Sequence, residues 1–448
     1  MPKAAALFLL IFVVCTAGGL YMPLLSLLGY IAHYCIGPEH RWWGGKPIAY
    51  LGIRYSLYLG AATALGLLMH WGTIKSLCGK ALLVRQEKLM LIFLAVIWLS
   101  VLLGDSTVER YALQDHPSVK MTKVIVFALL MTHIVTRIKE FNILLWVLVL
   151  CSLALGWQAY NTPHKDFVAG RLESVGGADF AESNVLAAFL AAMLPLIAVQ
   201  FLRVKWKGKL VSLASGVFAT NAIVLTRSRG AVLGLLAGAM VAVIGAPPRH
   251  RLMIVLGLIV MGVGGYRLMD EQFLDRASTI NKSQGERDRS AESRLEIWQG
   301  SVEMLKANPL GVGAGNFYQK IGSYARQHPG RDAHNTFVRC YSELGIHGFA
   351  ILIMLIVNAF LTIRRCLRRA GELPEGERNS FTYAGYGLAV ALTTLLACGV
   401  TVTLLYVEIL WWLLALPVCL ERAMENRLPE EPSELAQAEL EMAEAEAR

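Results

Sequence analysis

Residues 224–234, VLTRSRGAVLG, place two arginines in a turn of a few residues between two apolar runs. Each run is close to the roughly 17 residues that cross about 30 Å of hydrocarbon as a helix, and similar runs recur along the 448-residue chain. Hydrophobic residues make up 55% of the sequence and charged residues 17%, and the mean hydropathy is +0.50. These values exclude an ordinary soluble domain and predict an all-α polytopic membrane protein.

The apolar runs predict about twelve transmembrane helices. The first run is too long for one straight span, and Gly18-Gly19 with Pro23 could break it. Either a tilted helix, a helix with a re-entrant piece, or a thirteenth helix is compatible with this run. The expected spans are residues 4–36, 51–69, 89–104, 119–136, 141–157, 184–202, 210–226, 230–246, 252–268, 344–363, 381–399 and 403–420.

This pattern divides the chain into four segments. Residues 1–268 are expected to hold transmembrane helices one to nine, and residues 344–420 helices ten to twelve. Residues 269–343 form one large external loop with short helices, and residues 421–448 form an acidic cytoplasmic tail. The eight cysteines lie mostly inside apolar runs without the paired spacing of zinc or disulfide sites, so we expect small core residues.

Basic residues concentrate in alternate short loops, which face the cytoplasm by the positive-inside rule. The loops at 105–118 and 158–183 are acidic or mixed and should face outward. The net charge of +9 therefore reports topology, and no nucleic-acid partner is expected. The basic positions are Lys75, Lys80, Arg85, Lys88, Arg137, Lys139, Arg203, Lys205, Lys207, Lys209, Arg249, Arg251, Arg364, Arg365, Arg368, Arg369 and Arg378.

Several charged residues do not fit this simple distribution. Arg227 and Arg229 face outward in this topology, where they either snorkel to headgroups or bind an anion. Arg54, at the outer end of the second span, has the same two interpretations. Glu408 lies within the last span, an expensive position for a carboxylate, and we expect it to pair with an arginine of a functional site.

The large loop contains signals of ordered structure. Ser293 to Glu296 fits a capping box, and apolar residues then recur at helical spacing until the NPLG sequence ends the helix. Arg294 would lie in the first turn of this amphipathic helix, where free N–H groups favour an anion. The GVGAGNF stretch at 311–317 has no preceding strand, so we interpret it as a tight connection rather than a dinucleotide site.

His334 and Asn335 stand at the outer mouth of the next membrane helix, which should begin near Phe337. A histidine in this position can accept a proton near neutral pH. His328 and Asp332 lie close by in sequence, but their spacing matches no standard metal site. We expect neither a metal nor a cofactor.

Three segments, TRSRG, SRLEIW with NPLGVGAGNF, and HNTFVRCYSELGIHG, follow in this order across a many-helix chain with one large external loop. Together they resemble the O-antigen ligase and O-antigen polymerase superfamily of bacterial envelope glycosyltransferases. The resemblance covers roughly residues 180–365, while the N-terminal third is similar only in hydrophobic pattern. It implies an inverting, metal-free transfer of a glycan from an undecaprenyl-pyrophosphate carrier to an acceptor hydroxyl, at the periplasmic face of the bacterial inner membrane.

Carried over by motif position, the resemblance implies a catalytic base, three pyrophosphate-binding arginines and a few supporting residues. Guanidinium groups suit phosphate oxygens, and the sequence has no D-x-D motif of nucleotide-sugar enzymes. The acceptor stays open between lipid A-core, a protein hydroxyl and the growing glycan, and membrane lipids are expected partners. The residues are His334 as base, Arg227, Arg229 and Arg294 for the pyrophosphate, and Arg54, Asn335 and Glu408 in support.

Two other classes of protein compete with this interpretation. A secondary transporter would place ionisable groups near the bilayer midplane, whereas the spans from residue 184 to 268 are almost free of charge until their ends. A noncatalytic scaffold could use the external loop to bind a partner, but would not need the arginines together with a histidine.

Overall fold

The computed structural model describes residues 2–41, 43, 51–78, 81–104, 116–168, 170–246, 248–268 and 289–427. The regular structure of these residues is helical apart from one isolated bridge, which confirms the predicted all-α class. The helices are α1 (Lys3–Tyr21), α2 (Pro23–Ile36), α3 (Tyr55–Met69), α4 (Trp71–Leu77), α5 (Arg85–Leu103), α6 (Pro117–Ile134), α7 (Ile138–Asn161), α8 (Ser183–Arg203), α9 (Trp206–Thr226), α10 (Arg229–Gly245), α11 (Pro248–Leu268), α12 (Arg289–Ala307), α13 (Phe317–Tyr324), α14 (Thr336–Arg369), α15 (Glu375–Cys398) and α16 (Glu408–Glu425).

Many of these helices are long and apolar enough to cross a membrane. Within the described residues there are 8 such helices, or up to 9 if α3 and α4, which meet at 83°, form one bent span. Helix α10 and residues 251–264 are apolar but shorter. A multi-pass membrane protein is therefore supported, while the count of about twelve spans stays a prediction.

The first apolar run is broken, as its glycines and proline suggested. Helix α1 ends at Tyr21, and Pro23 begins α2 without an N–H to continue the helix. The two helices then run antiparallel, because Gly19 lies against Ser26 and the Phe8 and His33 rings are 6.2 Å apart. The predicted 4–36 span is thus a helical hairpin.

The described basic loops gather at one end of the bundle, which we call the basic end. Asn426, after α16, donates to Leu77 O at 3.0 Å and to Thr136 O at 2.8 Å. Arg203 donates to the Ser380 hydroxyl and joins the end of α8 to the start of α15. This grouping agrees with the alternation of loops in the sequence, and the side of the membrane that it faces rests on the positive-inside rule.

The opposite end carries α12, α13 and the loop between α15 and α16, and we call it the loop end. Helices α8 and α16 are buried along most of their length, whereas α1 and α11 are largely exposed. The eight cysteines are all buried and unpaired, as predicted for core residues. The acidic tail from residue 428 lies outside the described residues, as do residues 269–288 of the large loop.

Helix α14 is interrupted at Gly345, which has φ 67° and ψ −172°. The glycine-rich stretch covers this break: Val312 N donates to Ser342 O and Gly313 N to Glu343 O, both at 2.9 Å. These bonds satisfy carbonyl groups that the interrupted helix leaves without an intrahelical partner. Residues 311–317 form the expected tight connection, and a Cβ at Gly311 would overlap Glu343 O.

Gly345→Ala is expected to lower the free energy of unfolding by about 2–4 kcal/mol, because it combines a glycine-only backbone region with overpacking. The new Cβ would lie 2.5 Å from both Pro309 O and the Leu310 carbonyl carbon. Gly371→Ala is the matched control, because a Cβ there meets nothing within 4 Å. Thermal unfolding in detergent compares the two variants, and equal melting temperatures would contradict the interrupted helix.

Candidate active site

The two arginines of the opening sequence flank a tight break between α9 and α10. Thr226 ends α9, and Arg227 follows in the left-handed region with φ 51°. Ser228 caps α10, because its hydroxyl accepts from Ala231 N at 3.4 Å. Arg229 is the first residue of α10. Both arginines therefore lie at a helix N-terminus, where backbone dipoles favour an anion. We call residues 226–230 the arginine turn.

A third arginine, from a loop that looked merely mixed in charge, holds the arginine turn in place. Arg171 Nε donates to Thr226 O at 3.0 Å, and its Nη2 donates to Asn184 Oδ1 at 2.8 Å. The Ser228 hydroxyl donates to the same Asn184 oxygen at 3.0 Å. The first turn of α8 and the loop before it therefore fix the position of both helix ends.

The same turn of α8 reaches His334. Asn184 Nδ2 donates to Glu182 Oε1 at 3.1 Å, and that oxygen lies 4.0 Å from His334 Nδ1. The arginine turn and His334, far apart in sequence, are thus joined by two residues of one short segment. The structure therefore brings two sequence-predicted segments, the arginine turn and His334, to the same place.

The loop between α15 and α16 completes the wall of this site. Thr336 N, at the start of α14, donates to Gly399 O at 2.7 Å, and Leu404 N donates to the Thr336 hydroxyl at 2.9 Å. On the other side of the loop, Gly230 packs so closely on Thr401 that a Cβ would overlap its hydroxyl. Residues 399–404 therefore pack against both the arginine turn and the start of α14.

His334 itself has an unusual backbone and an open ring. Its φ is 45°, a value uncommon for a residue with a side chain. Its N–H donates to Asp332 Oδ2 at 3.3 Å, and its Nδ1 lies 3.7 Å from the same oxygen. The side chain is 35% exposed, so a ligand at the loop end can reach the ring.

A buried ionic network lies behind Asp332. Arg339 Nη1 donates to Asp332 Oδ1 at 2.7 Å, and Arg339 Nε donates to Glu343 Oε1 at 2.6 Å. The Thr403 hydroxyl donates to Asp332 Oδ2 at 2.7 Å, and the Tyr406 hydroxyl donates to Glu343 Oε2 at 2.5 Å. Burial alone would raise the pKa of Asp332, but Arg339 and Thr403 hold the pKa of that carboxyl below its usual value.

Helix α12 brings Arg294 to the loop end, although not in the way the sequence suggested. The predicted capping box at Ser293 is wrong, because α12 already begins at Arg289 and places Arg294 in its second turn. One turn further on, Trp298 Nε1 donates to Ala333 O at 2.8 Å, directly beside His334. Since residues four apart share a helix face, Arg294 starts from the face that packs next to His334.

The supporting residues proposed from the sequence have separate roles. Asn335 caps α14, because its Oδ1 accepts from Phe337 N at 2.9 Å and from Val338 N at 3.1 Å. Arg54 is exposed at the start of α3, and its neighbour Tyr55 packs on Phe12 of α1 at 4.9 Å between ring centroids. That aromatic group contains none of the described site side chains.

The predicted ion pair of Glu408 with a site arginine is wrong. Glu408 is buried at the start of α16 and accepts from the Tyr30 hydroxyl at 2.8 Å. Tyr30 stacks on Phe127 with ring centroids 4.1 Å apart, so the carboxylate points toward α2 and α6. The observed partner is therefore a neutral hydroxyl rather than a guanidinium group.

The segment of the chain that carries the arginine turn and His334 is similar to known proteins. Residues 214–353 match the model of the O-antigen ligase family, and they include the arginine turn, Arg294 and His334. The exopolysaccharide production protein ExoQ of Rhizobium meliloti (strain 1021) is 26% identical over 221 residues, which are 45% of this chain and 49% of the relative. The chain thus spans about half the length of the curated relative it matches.

These matches confirm the resemblance to the O-antigen ligase and polymerase superfamily. They support a polysaccharide-related, glycosyltransferase-like function in a membrane.

Proposed function

We propose that this protein is an inverting glycosyltransferase that moves a glycan from undecaprenyl pyrophosphate to an acceptor hydroxyl. The observation that carries the proposal is the link from the arginine turn through Asn184 and Glu182 to His334. The link supports the proposal because it brings two arginines and a histidine to the same end of the helical bundle.

The arginines suit the leaving group of this reaction. As the anomeric carbon–oxygen bond to the pyrophosphate breaks, its electron pair stays with the leaving oxygen and negative charge grows on the phosphates. Guanidinium groups stabilise such charge through paired hydrogen bonds. Arg227 and Arg229 start beside the α10 N-terminus, and Arg294 is the third candidate.

His334 suits the attacking group. The acceptor oxygen forms the new bond to the anomeric carbon from the opposite face, and its proton must leave at that moment. A partly exposed imidazole can accept the proton as general base. The products are then the glycosylated acceptor and undecaprenyl pyrophosphate, with the anomeric configuration inverted.

Two acceptors are worth testing first. The family description favours ligase chemistry, in which lipid A-core or another surface acceptor carries the hydroxyl. The relative's name refers to exopolysaccharide production, which favours the end of a growing glycan as acceptor. Both candidates use the same donor and the same site.

The decisive experiment incubates purified protein with an undecaprenyl-pyrophosphate oligosaccharide and each acceptor in turn, and identifies the products by mass spectrometry. We expect a glycosylated acceptor together with free undecaprenyl pyrophosphate. The same oligosaccharide on undecaprenyl monophosphate is the matched control, because it lacks one anionic group for the arginines. Absence of transfer to every acceptor, or equal transfer from both carriers, would contradict the proposal.

We also propose that the loop end faces the periplasm of a bacterial inner membrane. A membrane-impermeant maleimide added to intact cells should label Arg331→Cys, which is exposed at the loop end, and should not label Lys75→Cys, which is exposed at the basic end. The native thiols are all buried, which keeps the background low. The reverse labelling pattern would contradict this orientation.

A further inference from the structure

We propose that Asp332 is a positioning residue for His334. Asp332 fixes both the backbone and the ring of the histidine, and Arg339 and Thr403 in turn fix Asp332. This inference rests on the proposed function, in which His334 accepts the proton of the acceptor hydroxyl.

The first contact concerns the backbone. His334 has φ 45°, and a left-handed conformation costs a residue with a side chain roughly 1–2 kcal/mol. Its N–H donates to the side chain of Asp332, two residues earlier, at 3.3 Å. This local bond is the kind that aspartate forms in turns, and it holds the chain in the conformation that places the ring beside Glu182.

The second contact concerns the ring. His334 Nδ1 lies 3.7 Å from Asp332 Oδ2 and 4.0 Å from Glu182 Oε1, and it has no hydrogen-bond partner among the described residues. Both carboxylates face the Nδ1 side, which leaves Nε2 for the acceptor hydroxyl. When Nε2 takes the proton, a small ring rotation brings Nδ1–H within reach of Asp332, as expected for contacts that tighten during the reaction.

The carboxylate of Asp332 is held in a fixed orientation by two other residues. Arg339, only 3% exposed, binds Asp332 Oδ1 at 2.7 Å, and its guanidinium lies 4.3 Å from the centroid of the Tyr318 ring. Thr403 binds the other carboxylate oxygen at 2.7 Å. Each oxygen of Asp332 is therefore held by a residue from a different element, α14 or the loop before α16.

The charges of the network also suit this role. Arg339 lies between Asp332 and Glu343, so one cation faces two carboxylates and a single negative charge remains next to His334. Glu182, directly before α8, adds a second carboxylate, and Asn184 connects it by hydrogen bonds to Arg171. An imidazolium formed at His334 is therefore stabilised by the fixed charge of Asp332.

The test is the pH–rate profile of Asp332→Asn in the purified full-length protein. We expect kcat to fall about tenfold or more, the KM for the lipid-linked donor to change little, and the acidic limb of the profile to move to lower pH by about one unit. The matched control is Asp166→Asn, an exposed carboxylate at the same end, which should leave the profile unchanged. A purely structural role for Asp332 would reduce the amount of active protein without moving the profile.

A milder variant protects the test against misfolding of Asp332→Asn. Thr403→Val removes one hydrogen bond to Asp332 and keeps its charge, so we expect a smaller fall in kcat with the same KM. The inference is overturned if His334→Ala is inactive while Asp332→Asn and Thr403→Val keep the wild-type kcat and profile. The inference is also overturned if Glu182→Gln moves the acidic limb of the pH–rate profile while Asp332→Asn does not. Full activity of His334→Ala would instead overturn the base assigned in the proposed function.

Discussion

His334→Ala is expected to lose about 10²- to 10⁴-fold in transfer rate, the usual effect of removing a general base. The residue stands at the loop end with a partly exposed ring, next to two carboxylates that direct its Nε2 outward. Without a general base, the hydroxyl group that receives the glycan remains a poor nucleophile, while the lipid-linked donor still binds. The measurement is turnover with the undecaprenyl-pyrophosphate donor, with donor binding recorded separately.

Two further variants make this result specific. His334→Asn keeps the left-handed backbone, which asparagine tolerates well, but it cannot accept a proton, so we expect it to be as inactive as His334→Ala and as stable as the wild type. His164→Ala changes an exposed histidine at the same end and should retain full activity. Wild-type turnover in His334→Asn would show that another group takes the proton.

Arg227→Gly is expected to separate stability from activity. Arg227 follows the last residue of α9 with φ 51°, at the position where glycine is the preferred residue after a helix. Glycine relieves a backbone strain of about 1 kcal/mol, so the melting temperature should be unchanged or higher. The transfer rate should nevertheless fall about 10²-fold, because a charge-stabilising group is lost from the transition state.

Arg227→Lys and Arg326→Gly are the comparisons for this variant. Lysine keeps the charge but not the paired donors of the guanidinium, so an intermediate rate is expected. Arg326 is exposed after α13, and its loss should change neither rate nor stability. If Arg227→Gly destabilised the protein and left the rate per folded molecule intact, Arg227 would be a helix-end anchor rather than a ligand-binding residue.

The parts of the fold that follow from local patterns could be predicted from the sequence. The apolar runs predicted the positions of the helices, and the basic residues predicted which loops lie at the same end of the bundle. The position of the arginine turn was predictable because charged residues between two apolar runs are costly and therefore stand out in the sequence. The break at Gly345 was not predicted, since a single glycine in an apolar helix is usually tolerated.

The remaining site residues depend on tertiary contacts that no local pattern reveals. Arg171, Asn184 and Glu182 lie in an ordinary polar loop and at the following helix start, and only folding brings them between the arginine turn and His334. The capping box at Ser293 failed because the polar residues before it also form helices and extend α12 upstream. The predicted partner of Glu408 was wrong because the position of a carboxylate along a helix does not determine which neighbouring side chain it contacts.

The interruption at Gly345 defines which piece of this protein can be exchanged as a unit. Val312 N and Gly313 N donate to Ser342 O and Glu343 O before the break, and Pro309 O accepts from Ile346 N just after it. The first segment of α14 and the glycine-rich stretch therefore form one hydrogen-bonded unit at the loop end. A chimera with a related protein that is cut at Asn335 would separate His334 and Asp332 from Arg339 and Glu343. A cut just after Gly345 would carry the histidine, Asp332, Arg339, Glu343 and the glycine-rich stretch together, which makes that position the natural boundary for exchanging this part of the site.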